Sequence, residues 1–107
     1  MTVRRDPQLL KGVLPMLILA ELARESTYGR ELVQRLEASG LEDLSHGTVY
    51  PLLTRLEREG LVDFSLVASP SGPARKIYSV TPQGAAKLNE SVAAWRSLGM
   101  VVDTILA

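Results

Sequence analysis

The stretch His46-Gly-Thr-Val-Tyr-Pro-Leu-Leu-Thr-Arg-Leu-Glu-Arg-Glu-Gly-Leu-Val62 decides how the rest of the chain is read. Val49, Leu52, Leu53 and Leu56 stand at i, i+3, i+4 and i+7, which is one apolar face of an α-helix. Thr48, Thr54, Arg55 and Arg58 fall on the opposite face. Ser45 is a candidate cap at the start, and Gly60 can end the helix in the left-handed conformation. Pro51 disfavours a helical Tyr50, so the first turn is expected to be irregular. Leu61 and Val62 then open an extended segment.

Two helices come before this stretch. Asp6-Pro7 reads as a cap followed by proline at the first helical position. Leu10, Val13, Leu14, Leu17, Ile18 and Leu22 then form a wide apolar stripe. Pro15 interrupts it at a cost of about 3 kcal/mol in a regular interior. A kink there, or a new helix starting near Leu14, is expected. Ser26-Thr27 reads as the cap of a second helix from Tyr28 to about Ala38, with Leu32, Val33 and Leu36 inward and Arg30 and Arg35 outward. Ser39-Gly40 ends it, and a connector with Glu42 and Asp43 leads to the third helix. Two helices joined by a short turn, the second exposing hydroxyls and guanidinium groups, form the helix-turn-helix pattern. The third is its recognition helix.

Behind that helix, Val62-Asp-Phe-Ser-Leu-Val67 alternates, with Val62, Phe64 and Leu66 on one side. Arg75-Lys-Ile-Tyr-Ser-Val80 alternates as well, with Ile77 and Ser79 on one side. Ala68 to Ala74 is a turn-rich tip, so the two strands form a β-hairpin wing. Arg75 and Lys76 stand at the base of the tip, as a wing that meets phosphate requires. Thr81-Pro82 starts the last helix, which runs nearly to the C-terminus. Ala85, Leu88, Val92, Trp95, Gly99, Val102 and Leu106 form a heptad-like seam along it. A domain this small cannot cover such a seam, so packing on a second subunit is expected. The fold class is mainly α with a small β-hairpin: a winged helix-turn-helix over 1–81 and a long C-terminal dimerisation helix over 82–107, integrated as one domain.

Composition bounds the function. A chain of 107 residues is one domain, and 46% hydrophobic residues are enough for a small core. No cysteine means no disulfide and no thiolate metal site, in keeping with a reducing cytoplasm. Leu9 to Leu22 is too short and too broken by Lys11, Pro15 and Glu21 for a signal peptide or a membrane span. The net charge is zero, so nucleic-acid binding would rest on a local basic cluster. One histidine, no cysteine, no Gly-rich phosphate loop and no Ser/His/Asp constellation leave no catalysis to assign and no cofactor.

Together these residues resemble the PadR family of bacterial transcriptional regulators, in its small subfamily with a single C-terminal helix. The resemblance spans nearly the whole chain. It rests on Lys11-Gly12, Tyr28-Gly29-Arg-Glu-Leu32, Gly47-Thr-Val-Tyr-Pro-Leu-Leu53 with Arg55-Leu56-Glu57 and Glu59-Gly60-Leu61, Arg75-Lys76-Ile-Tyr78, and Thr81-Pro82-Gln-Gly84. Two positions depart from the pattern: Pro15, where an ordinary helix former is more usual, and Ala74, where many relatives have a basic residue or proline. The resemblance implies a dimeric winged-helix repressor. Such a protein binds palindromic operator DNA and is released by a small hydrophobic or phenolic molecule, a drug or a stress signal.

On that footing Thr48, Tyr50, Thr54 and Arg55 face double-stranded DNA, the alternative being a solvated helix face. Tyr28 stands near the DNA backbone or packs half-buried on the third helix, and Arg75 and Lys76 meet phosphate from the wing. Arg4 and Arg5 could add contacts from an arm, although plain solvation is the preferred reading. Leu10, Leu14, Val92, Trp95, Leu98 and Val102 are candidates for the subunit interface or the wall of an effector pore within it. His46, with Glu42 and Asp43 nearby, is a weak candidate metal ligand. Two rivals follow: a winged helix used only for protein–protein contact, and a metal-responsive regulator.

Overall fold

The computed structural model describes residues 6–41 and 44–107. The element order is α1 (Pro7–Arg24), β1 (Thr27–Tyr28), α2 (Gly29–Ala38), α3 (His46–Arg58), β2 (Val62–Val67), β3 (Arg75–Val80) and α4 (Pro82–Leu106). The sheet is antiparallel with order β1-β3-β2.

Local chemistry sets most helix ends. The Asp6 carboxylate accepts from the backbone N–H of Gln8 at 3.0 Å, and Pro7 opens α1. At the end of α3 the Leu61 N–H donates to Leu56 O and the Gly60 N–H to Glu57 O, with Gly60 at φ +78°. That pair of bonds closes the helix as a Schellman motif, which the positive φ of glycine permits. The Thr81 hydroxyl accepts from the Gly84 N–H at 3.0 Å and caps α4.

Both helices with internal proline run unbroken. Pro15 does not start a new helix and Pro51 does not make the first turn of α3 irregular. Each proline leaves one carbonyl without its helical donor, that of Lys11 and that of Gly47 respectively. Both residues are exposed, so water can take the donor's place. In α1, burial of Leu14, Ile18, Leu19 and Leu22 contributes roughly 1.5–3 kcal/mol each, more than the ~3 kcal/mol cost of one proline.

Other corrections concern caps and strands. Ser26-Thr27 does not cap α2; Thr27 and Tyr28 form β1, paired with Tyr78 and Ile77 of β3. Thr27 is buried there, and the Ser26 hydroxyl donates to Ser79 Oγ at 2.9 Å. Ser45 precedes α3 without a side-chain bond to its backbone; its hydroxyl lies 2.9 Å from Thr48 Oγ1. In β3 the buried residue is Tyr78, while Ile77 on the other side is half-buried. The register pairs Val62 with Val80 and Phe64 with Tyr78, and cross-strand partners share a face. Arg35 does not point away freely but reaches back to the Glu25 carbonyl at 3.1 Å.

The core lies where α1, α2 and α3 meet the sheet. Leu14, Ile18, Leu32, Leu53, Leu56 and Val62 are among its fully enclosed side chains. The α4 helix lies against α1 and β3 at its start and then leaves the body. Its 25 residues span about 37 Å at 1.5 Å per residue. The radius of gyration is 15.1 Å, against about 13 Å for a compact chain of this length. The excess is the projecting half of α4.

Candidate nucleic-acid interface

The α3 helix turns Val49, Leu53 and Leu56 into the core, which fixes its other face outward. On that face Thr54, Arg55 and Arg58 are exposed. The Thr54 hydroxyl donates to the Tyr50 carbonyl at 3.1 Å. With its proton used in this way, Thr54 offers a partner an acceptor oxygen and a methyl group. Arg55 has only a loose contact along its own helix, Nε to Glu59 Oε2 at 4.0 Å, so its guanidinium remains available. Thr48 is half-buried beside Ser45.

Tyr50 leaves the helix toward α2. Its ring stacks on His46, with centroids 5.6 Å apart and planes at 21°. It also lies against Gly29, where an added Cβ would overlap the ring. Only glycine at the start of α2 lets the tyrosine settle there.

The wing contributes the second cluster. Arg75 lies over the Tyr28 ring, 3.7 Å from its centroid, and pairs with Glu31 at 3.3 Å. Lys76 lies over the Phe64 ring at 4.1 Å. Between α2, α3 and β3 these side chains line an open groove of about 550 Å³, with Tyr28, Tyr50 and Tyr78 on its walls and Arg30, Arg75 and Lys76 opposite one carboxylate, Glu31. All three tyrosines of the chain meet there. Burial pushes the Tyr78 phenol above its ordinary value, and the Glu57 carboxylate and Tyr50 add to the shift.

The structure therefore gathers four expected site residues, Tyr28, Tyr50, Arg75 and Lys76, around one groove and leaves Thr54 and Arg55 farther along α3. Arg30, Glu31 and Tyr78 were not expected there. Arg30 and Glu31 directly follow Tyr28-Gly29, which was the available signal; Tyr78 joins only through the β3 register.

The second expected cluster divides. Leu14 is sealed inside the chain and is no wall residue for a partner or effector. Leu10 and Val92 are half-buried, while Trp95, Leu98 and Val102 are exposed. His46 is exposed on α3, and Glu42, Asp43, Arg4 and Arg5 lie outside the described residues. Among the described residues no group of three or more histidines and carboxylates could hold a metal, and no helix is long and apolar enough to cross a membrane.

Comparison with known proteins agrees with this architecture. The sequence profile of the "Transcriptional regulator PadR-like family" matches residues 18–90. A transcriptional regulator of Mycobacterium tuberculosis is 39% identical over 85 residues, covering 79% of this chain and 78% of that protein. The crystal structure of a PadR-like transcriptional regulator from Bacillus cereus is similar with a TM-score of 0.82 and 39% identity, over 92% of this chain and 96% of that one. A PadR family regulator from Eggerthella lenta gives a TM-score of 0.85 and 37% identity, over 92% of this chain and 86% of that one. With a family profile and solved relatives all spanning the helix-turn-helix and wing, this chain belongs to the PadR-like family of transcriptional regulators.

Proposed function

We propose that the protein is a homodimeric repressor that binds palindromic operator DNA. The observation that carries this reading is the outer face of α3, where Thr54, Arg55 and Arg58 stand exposed on a helix whose opposite face is locked in the core. In this reading α3 enters the major groove, Arg55 reads a base edge, and Arg75 and Lys76 approach phosphate from the wing. Tyr28 and Tyr50 shape the groove between them, and Thr48 steadies the first turn of α3.

Residues 1–81 form the DNA-binding part and residues 82–107 the dimerisation helix. The support is apolar surface: Trp95, Leu98, Met100, Val101, Val102, Ile105 and Leu106 are exposed on α4, and Leu9 on α1. This many exposed apolar side chains on one small domain support an interaction surface. A two-fold dimer places its recognition helices about 34 Å apart, one turn of DNA. A small hydrophobic effector entering the seam near Trp95 would change the angle between the two heads and release the DNA.

The test is a titration of the protein against the DNA upstream of its own gene and against random duplex, at two salt concentrations, with the mass in solution measured in parallel. Expected are a dimer and tight, salt-sensitive binding that survives excess random DNA. Binding equal to that of random DNA at every salt concentration would overturn the operator reading for that site, and a monomer would overturn the α4 seam. Quenching of Trp95, the only tryptophan, reports the effector.

A further inference from the structure

The turn that closes α3 and the first turn of α4 meet at Thr81. Thr81 stands between β3 and α4, and its hydroxyl serves both neighbours. It accepts from the Gly84 N–H at 3.0 Å, which caps α4, and it donates to the Gly60 carbonyl at 2.6 Å, directly beyond the end of α3. The Thr81 backbone N–H donates to the Leu61 carbonyl at 3.1 Å. Gly84 completes the joint: a Cβ there would overlap the Leu61 carbonyl, so only glycine lets the first turn of α4 come this close. Gly84 is buried, and the hydroxyl is partly shielded from water.

The geometry assigns Thr81 as a positioning residue that sets the angle between the recognition helix and α4. The inference rests on the reading of α3 as the DNA-contacting helix and α4 as the dimerisation helix. The last carbonyls of a helix have no partner within it. Here the turn that closes α3 is tied to the first turn of α4 by an O–H···O bond, not left to water. A change in the direction of α4 is thus passed to α3 through a contact a few atoms long. In a dimer joined along α4, this joint fixes how far apart and at what angle the two α3 helices stand. It thereby fixes the spacing of the half-sites that both can reach at once.

The cap and the tether can be separated chemically. Asp is as good a helix cap as Thr, but an ionised carboxylate cannot donate to the Gly60 carbonyl. Ser keeps both functions. The chain has no cysteine, so Gly47→Cys on α3 and Asn89→Cys on α4 give a unique pair of spin-label sites. The distance between them is measured in labelled chains diluted into unlabelled protein. In parallel, wild type selects duplexes from a random pool, and the variants are titrated against the selected site with its half-site spacing changed by one base pair.

Expected for Thr81→Asp is a folded protein whose α3–α4 distance distribution broadens, and whose preference for the selected spacing over the altered one falls by about tenfold, or 1.4 kcal/mol. Thr81→Ser should match wild type in both. Gly84→Ala is a second, steric perturbation that should also shift the distance. An unchanged distance distribution in Thr81→Asp would overturn the tether. A broadened distribution with an unchanged spacing preference would overturn its positioning role. If wild type enriches no sequence, the DNA-binding reading falls, and the positioning role falls with it, while the distance measurement still decides the joint itself.

Discussion

The guanidinium of Arg75 is held between the ring of Tyr28, 3.7 Å away, and the carboxylate of Glu31, 3.3 Å away. If the wing meets DNA phosphate, as proposed, this cation is oriented and partly neutralised before DNA arrives. The pair is about half exposed on both sides, so its own contribution to stability is small, on the order of 0.2–1 kcal/mol. In the proposed complex its effect is larger, since Glu31 would repel the phosphate that Arg75 attracts. Glu31→Gln should raise affinity for random duplex about two- to fivefold at low salt, with the gain fading at high salt. Arg75→Ala should lower the slope of log affinity against log salt by about 0.9, the share of one phosphate. An unchanged slope in Arg75→Ala would remove the wing from the interface.

Arg55 is exposed on α3, and its ion pair with Glu59 is loose, at 4.0 Å. If it forks onto a guanine, Arg55→Ala should weaken operator binding by about 1–3 kcal/mol and leave random-duplex binding nearly as it was. Mass in solution should not change. Equal losses on both duplexes would make Arg55 a phosphate contact.

Trp95 is about half exposed (51%) on the projecting half of α4. A carboxylate in its place would have to be desolvated at the proposed subunit seam. Trp95→Asp should therefore weaken dimerisation by at least about 100-fold, seen by sedimentation at falling concentration. The fold of the monomer should survive, because the Trp95 side chain is not part of the buried core. A dimer as tight as wild type would place Trp95 off the seam.

Tyr78 predicts a pH effect. Its folded-state pKa lies above the ordinary 10.0, chiefly through burial. Below pH ~10 both the folded and unfolded forms keep the phenol proton, and stability does not depend on this group. Above it the unfolded chain releases the proton first, so stability falls as pH rises. Thermal melts between pH 9 and 11, roughly the window around an ordinary tyrosine, should show this fall in wild type and less of it in Tyr78→Phe. Parallel curves for the two proteins would show that Tyr78 carries none of the dependence.

Much of the fold is legible in local chemistry. Asp6-Pro7, Thr81-Pro82 and Gly60 mark helix ends because caps, proline and positive φ act over three or four residues. The apolar spacing of Val49, Leu53 and Leu56 orients α3 because 3.6 residues make a turn wherever the helix lies. The order of the four helices and the hairpin, and with it the winged-helix class, follows from such signals.

Other features exist only once distant segments meet. Thr27-Tyr28 is too short to show a period and becomes a strand only because β3 accepts it at its edge. Ser26-Thr27 looked like a cap because the same small hydroxyls serve both purposes. Whether Pro15 breaks α1 depended on the burial of its neighbours and on water reaching the Lys11 carbonyl, neither of which the local sequence states. The Arg75–Glu31 pair joins residues 44 apart, and the Thr81–Gly60 bond residues 21 apart. Sequence by itself determined which helices form and which face of each is apolar, since propensity and periodicity are properties of neighbours. Tertiary structure alone decided which cations are already paired, which tyrosines share a groove and what ties α3 to α4, because those contacts depend on how the sheet brings remote residues together.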